Sequence, residues 1–148
     1  MTIVESALAA ITVQLETDLG VDTVARNRVL PTRIPVGGLV VLHDGEVADW
    51  EELIGQGVNQ NSVDVQWSAS LEVYFEAVDS EERSTGLDVL KKAAIDSVLT
   101  DPTLGGLVGT MIARPLALDH TAQAEGGDTR AMAAVAVVFD FETTDPAW

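Results

Sequence analysis

The stretch VDVQWSASLEVYFEA, residues 63–77, decides the fold. Val63, Val65, Trp67, Ala69, Leu71, Val73, Phe75 and Ala77 are apolar. Asp64, Gln66, Ser68, Ser70, Glu72, Tyr74 and Glu76 between them are polar or amphipathic. A period of two marks a β-strand with one buried face, because successive side chains point to opposite sides. At ~3.3 Å per residue these fifteen residues extend roughly 50 Å. A compact chain of 148 residues has a diameter of roughly 38 Å. The strand is longer than the body that should hold it. It either bends through a bulge at Ser68-Ala69-Ser70 or projects as half of an arm. A projecting arm with an apolar face requires a partner to cover it.

Before this strand, residues 2–19 read as a helix. Thr2 caps it, Glu5 stands three residues on as a capping-box partner, and Val4, Leu8, Ile11, Leu15 and Leu19 form one apolar stripe. Gly20 ends it. Thr23 to Leu30 reads as a strand carrying Arg26 and Arg28, and Pro31 and Pro35 bracket an extended link. Gly38 to His43 reads as a short apolar strand, and Asp44-Gly45 as a hairpin turn. Glu46 to Leu53 fits more than one state. Gly55 to Asn61 reads as a polar loop at a tip.

Beyond the long strand, Ser80 is positioned to cap a second helix, with Glu81 and Glu82 at its positive end. Leu87, Leu90, Ala94, Ile95 and Val98 face inward, and Asp88 with Lys92 forms an i,i+4 pair. Met111 to Leu118 reads as a strand and Asp119 to Thr129 as a polar link turning at Gly126-Gly127-Asp128. Ala131 to Phe141 is the closing strand, with Ala133, Val135, Val137, Phe139 and Phe141 on one face. The expectation is an α+β fold: one domain, residues 1–148, whose mainly antiparallel sheet carries a long strand or hairpin arm and is covered by two α-helices. There is no internal repeat.

Composition narrows the function. With 24 acids against 8 bases the net charge is −16, which disfavours electrostatic capture of nucleic acid or of an anionic membrane. The excess serves solubility, or a surface that must repel a polyanion. There is no cysteine, so disulfides, thiolate metal sites and a Cys nucleophile are excluded. No basic leader precedes the first helix, and no apolar run is long enough to span a bilayer. The expected location is a cytoplasm, or a particle assembled there.

Catalytic patterns are poor. His43 and His120 are the two histidines, both at strand ends or in links, and no Gly-x-Ser-x-Gly elbow occurs. Gly105-Gly106-Leu107-Val108-Gly109-Thr110 lacks the lysine and spacing of a phosphate loop. Asp44-Gly45-Glu46 is too short for a calcium loop. No cofactor is expected. Asp101-Pro102-Thr103-Leu104-Gly105-Gly106 is more informative: Asp101 and Pro102 start a single helical turn and the glycines permit a reversal. It serves either as a tight helix-to-strand connection or as a turn presented at a subunit contact.

At this motif the chain resembles the tail terminator (tail completion) proteins of long-tailed bacteriophages and gene transfer agents. Four segments carry the resemblance and cover most of the chain: the opening helix; Arg26 to Glu46, with Val29-Leu30-Pro31, Ile34-Pro35 and His43-Asp44-Gly45-Glu46; the second helix running into Asp101 to Val108; and the closing strand Ala134 to Glu142 with Thr143, Thr144, Asp145 and Pro146. Phe141 stands where such proteins often carry a Tyr. The resemblance implies a virion subunit that closes into a ring, commonly of six, on the head-proximal end of the tail tube. That ring ends tube growth and presents the docking surface for the head. Its partners would be further copies of itself, the tail tube protein and the head–tail connector or neck proteins, with DNA passing through the lumen unbound and no membrane. No catalytic residue is carried over. Candidate interface residues are Gly57, Val58, Asn59 and Gln60 in the tip loop and Asp101, Leu104, Gly105 and Gly106 in the turn; candidate lumen acids are Glu72 and Glu76. The rivals are another ring-forming tail or neck protein, such as a tube subunit or a head–tail joining protein, and a small acidic enzyme or ligand-binding domain. Trp67, on the apolar face, is expected in the core; Trp50 and Trp148 suit core or interface.

Overall fold

The computed structural model describes residues 1–28, 33–54, 61–116, 122–123, 129–144 and 147–148. Helix α1, Ile3–Leu19, is followed by a 3₁₀ turn, Val21–Thr23, and the strands β1, Val24–Arg26, β2, Leu39–Ile54, and β3, Asn61–Glu76. Helix α2, Ser80–Val98, leads to β4, Thr110–Pro115, β5, Ala122–Gln123, and β6, Arg130–Thr143. They form one sheet in the order β1-β2-β3-β6-β4. Strand β5 pairs with Met132 and Ala131, on the β6 edge that β4 occupies further along. Among the described residues only β1 runs parallel to its neighbour, β2; the other pairings are antiparallel. The α+β expectation, a mainly antiparallel sheet with two helices, holds.

The alternation in β3 does what its period dictates. Val65, Ala69, Leu71 and Val73 are buried, and so are the apolar residues of β6 paired to them, Phe141, Val137, Val135 and Ala133. Both helices lie on this face, through Val4, Ala7, Leu8, Ile11 and Leu15 of α1 and Leu87, Leu90, Ala94 and Val98 of α2. Ser97 of α2 fastens them together, donating to Asp18 Oδ2 at 2.7 Å, and this bond holds the Asp18 carboxyl below its usual range. On the opposite face a smaller cluster joins Ile34, Leu39 and Val41, with Ala25 and Tyr74 packed against it. The rest of that face is not covered by either helix.

The long strand is half of a hairpin, and the bend lies in its partner. Strand β2 runs without a break from Leu39 to Ile54, so Asp44-Gly45 is not the predicted turn. His43 pairs with Ser70 and Glu46 with Ser68, so Asp44 and Gly45 stand opposite Ala69 alone. This is a β-bulge, with Gly45 at φ 73°. A positive φ suits either a hairpin turn or a bulge, so the local residues do not choose between them. A second register shift falls between Val47 and Asp49. The extra residue of the first bulge is thus in β2, opposite Ser68-Ala69-Ser70 rather than within it.

Several shorter readings are corrected. The strand expected over Thr23 to Leu30 is only Val24–Arg26, because Asn27 turns out of it at φ 52°. The last strand before the polar link ends at Pro115 rather than Leu118. Thr2 caps α1 through Glu5 N, but the Glu5 carboxylate does not complete a capping box; it binds Arg26. Asp79, not Ser80, caps α2. Lys92 pairs with Asp96 and Asp88 with Lys91. Asp101 opens a string of turns rather than a helical turn, with Leu104 N donating to Asp101 O at 3.1 Å. Among the described residues no helix is long and apolar enough to cross a membrane.

Candidate assembly surfaces

Arg26 locks the joint between body and arm. Its Nη1 and Nη2 donate to the two Glu5 oxygens of α1 at 2.8 and 2.7 Å, and its Nε donates to Asp44 Oδ1 in the bulge at 2.7 Å. A planar guanidinium makes such a forked contact with little reorganisation. The Arg26 bond holds the Glu5 carboxyl below the usual range. Burial opposes ionisation of Asp44, but bonds from Arg26 and Asn27 outweigh it and hold that carboxyl low too. Trp67 braces the other side of the bulge: it packs against the core and its Nε1 donates to Asp44 O at 2.7 Å. Trp148 also packs against the core, beside Thr2, Leu8 and Trp67 in a cleft of about 440 Å³.

Past the joint, the outer edge of β2 has no paired strand among the described residues. Strand β1 pairs with Val40, Val41 and Leu42 only, and Asn27 continues the contact to Asp44. Beyond that point no described strand covers β2. Val47 and Trp50 lie on the helix-side face, opposite Trp67 and Val65, yet remain 40% and 54% exposed. The alternate positions are acidic. Glu51, Asp64 and Glu142 form one cross-strand row, and Asp49, Gln66 and Asp140 the next. There is no Lys or Arg between Arg33 and Arg83.

The other sheet edge has a different surface. On the face away from the helices, Ile112 of β4 is 47% exposed, Leu116 just beyond the strand is 40% exposed, and Arg114 stands exposed between them. Ala136 and Val138 of β6 lie alongside. Arg114 makes no ion pair among the described residues.

The residues singled out in the sequence fall in separate places. Gly57, Val58, Asn59 and Gln60 lie outside the described residues, as does His120. Asp101, Leu104 and Gly105 line an apolar cleft of about 390 Å³ against Ala9, Ala10 and Val13 of α1. Leu104, Gly105 and Gly106 are all in the left-handed region, so the predicted reversal is present. Glu72 is tied into the open face: His43 Nε2 is 3.1 Å from its Oε1, and the Tyr74 hydroxyl donates to its Oε2. Burial, together with Glu72, pushes the Tyr74 phenol up. Glu76 pairs with Arg130 at 3.0 Å. Val47, Ile112 and Arg114 went unmarked in the sequence because each sits in a short segment with no motif around it; Trp50, flanked by acids on both sides, was the one legible signal. Among the described residues no group of His, Cys, Asp and Glu is arranged to hold a metal ion.

No protein-family model and no curated protein matches the chain. Among solved structures it is similar to a chain from the virion of a native gene transfer agent particle, at 16% identity and a TM-score of 0.43, over 92% of this chain and 94% of that one.

Proposed function

We propose that this chain is a structural virion protein, a single tail-terminator-like domain. Its ring would cap the head-proximal end of a phage-type tail tube, end tube growth and offer the surface on which the head docks. The observation that carries the reading is the β2–β3 arm: an extended hairpin whose outer strand leaves Val47 and Trp50 uncovered on one face and carries Asp49 and Glu51 on the other. Such a surface suits burial against another subunit. The chain works by shape and charge, without catalysis or a cofactor.

In this reading its partners are other copies of itself, the tube protein and the neck proteins, and its place is the virion tail, assembled in the host cytoplasm. Residues 57–60 and the turn at Asp101, Leu104, Gly105 and Gly106 are the proposed contacts to subunit or tube. DNA crosses the lumen without sticking because the wall is acidic. Glu72 and Glu76 are proposed for that wall, with Asp49, Glu51 and Asp64 adding charge that no ion pair among the described residues offsets.

Light scattering with negative-stain imaging over a wide concentration range tests the reading. Closed rings with an open centre are expected, alone or on added tail tubes. Unlimited tubes formed by the chain itself would replace the terminator with a tube subunit. A monomer that neither closes nor caps added tubes would sink both.

A further inference from the structure

The joint between body and arm is held twice, and only one of the holds is polar. Arg26 ties Glu5 of α1 to Asp44 of the bulge through three hydrogen bonds. Trp148 spans the same two parts without any. Its cleft is lined on one side by Val4, Glu5 and Leu8 of α1 and on the other by Asp44 and Trp67. The path of the chain makes this second hold a strap. Strand β6 ends at Thr143, which pairs with Val63 out along the arm, whereas Trp148 stands beside Trp67. Val63 and Trp67 are four residues apart on β3, a distance of about 13 Å. The chain therefore doubles back from the arm to the joint within the five residues after Thr143.

This hold is made to come off. Trp148 is only partly buried and makes no hydrogen bond or ion pair among the described residues. Trp67 beside it is pinned, through its Nε1, to Asp44 O. Open cleft of about 440 Å³ lies against the Trp148 ring. A ring with room beside it and no directional bond is held by contact area alone, so its departure strands no buried polar partner. The backbone next to it is suited to bend. Asp44 and Gly45 of β2 face Ala69 alone, and a bulge is where a strand changes direction.

We infer that Trp148 is a releasable latch that fixes the angle of the arm against α1. Closed, it bridges Leu8 and Trp67 and holds the joint as described. Open, it frees the arm to bend at the bulge and uncovers Trp67, the cross-strand neighbour of the exposed Val47. The latch belongs to the single chain and operates whether or not copies close into a ring.

The chain has no cysteine, so pairs of introduced cysteines take spin labels without background. Val13→Cys with Glu51→Cys spans α1 and the arm, and Val13→Cys with Val89→Cys spans the two helices as a reference; all three positions are exposed. Pulsed electron resonance reads the distance distribution of each pair in the full chain. With Trp148 in place, the arm pair should give one narrow distribution. Trp148→Ser should raise the population at other distances about tenfold or more and leave the helix pair unchanged. Trp148→Phe, which keeps an aromatic ring in the cleft, should restore the narrow distribution. An arm pair that stays narrow in Trp148→Ser overturns the latch. Equal broadening of both pairs overturns it as well, because the ring would then be ordinary core packing. A parent whose arm pair is already broad overturns the closed state.

Discussion

The body and the arm are built from the same strands with the same alternation, yet they are finished differently. In the body, Leu42 of β2, Leu71 of β3 and Val135 of β6 are fully buried under the helices. Further along, the cover still reaches Val65 of β3 and Phe141 of β6, but it stops short of β2, where Val47 and Trp50 stay exposed. The polar side differs too. Near the body its acids have partners: the Tyr74 hydroxyl donates to Glu72, and Arg130 pairs with Glu76. Along the arm it carries acidic rows with no ion pair among the described residues. Period two specifies that one face is to be buried; it does not specify by what. The body closes with its own helices, whereas in the proposed ring the arm is finished by a neighbour.

The largest expected effect is at the joint between the two regions. A Cβ added to Gly45 would sit 1.8 Å from Ser68 O, and the residue is at φ 73°. Gly45→Val should therefore remove the bulge or distort β3, at a cost of about 3 kcal/mol or more. For a chain of this size that is a fall of roughly 6–12 °C in Tm. The comparison predicts that backbone amides of the arm rows lose hydrogen-exchange protection before those of Leu71 to Phe75. A variant that melts with the parent would mean the arm does not depend on the bulge.

Arg26→Met should lower Tm by a smaller amount, about 3–5 °C at pH 7, because it releases the arm base from α1 while keeping an apolar stem. Glu5 and Asp44 have carboxyl pKa values lowered from 4.5 and 3.8 by their Arg26 bonds. A depressed pKa contributes stability that is complete above the unfolded value and is lost as pH falls through the folded one. The gap between parent and variant should thus hold from pH 7 down to about pH 5 and close below about pH 4. Melting curves at pH 7 and pH 3 decide it. A gap unchanged at pH 3 would assign the effect to packing of the side-chain stem.

Much of this contrast was legible in the sequence. The alternation of residues 63–77 and of Ala131 to Phe141 gave the strands and their buried faces, because a two-residue period over such lengths fits little else. The helices followed from their stripes and from Thr2 and Gly20. What stayed hidden was pairing. Asp44-Gly45 satisfies a turn and a bulge with the same backbone demand, so continuity of β2 depends on residues far away in β3. Asp79 and Ser80 are both good caps, and only the chain's path into α2 selects the first. The candidate surfaces were less legible still. Trp50 stood out among acids, but Ile112 and Arg114 are seen to share one outer face only once β4 is paired with β6.

The smallest effect is the most direct probe of the unfinished side. Asp64 stands between Glu51 and Glu142 on neighbouring strands, and like charges directly opposite one another cost about 0.2–1 kcal/mol. Asp64→Asn keeps the shape and removes the middle charge, so it should stabilise the chain by about 0.5 kcal/mol, a rise of 1–2 °C. Salt should raise the parent's Tm more than the variant's, since screening relieves the same repulsion. No gain in low salt would mean that the row is already relaxed by solvent. The contrast with the joint is then one of sign: substitutions at Gly45 or Arg26 remove something the monomer uses, whereas Asp64→Asn removes a repulsion the monomer tolerates. A surface that becomes more stable when its charge is deleted is kept for something other than the stability of the single chain, and the uncovered Val47 and Trp50 lie on the other face of the same hairpin.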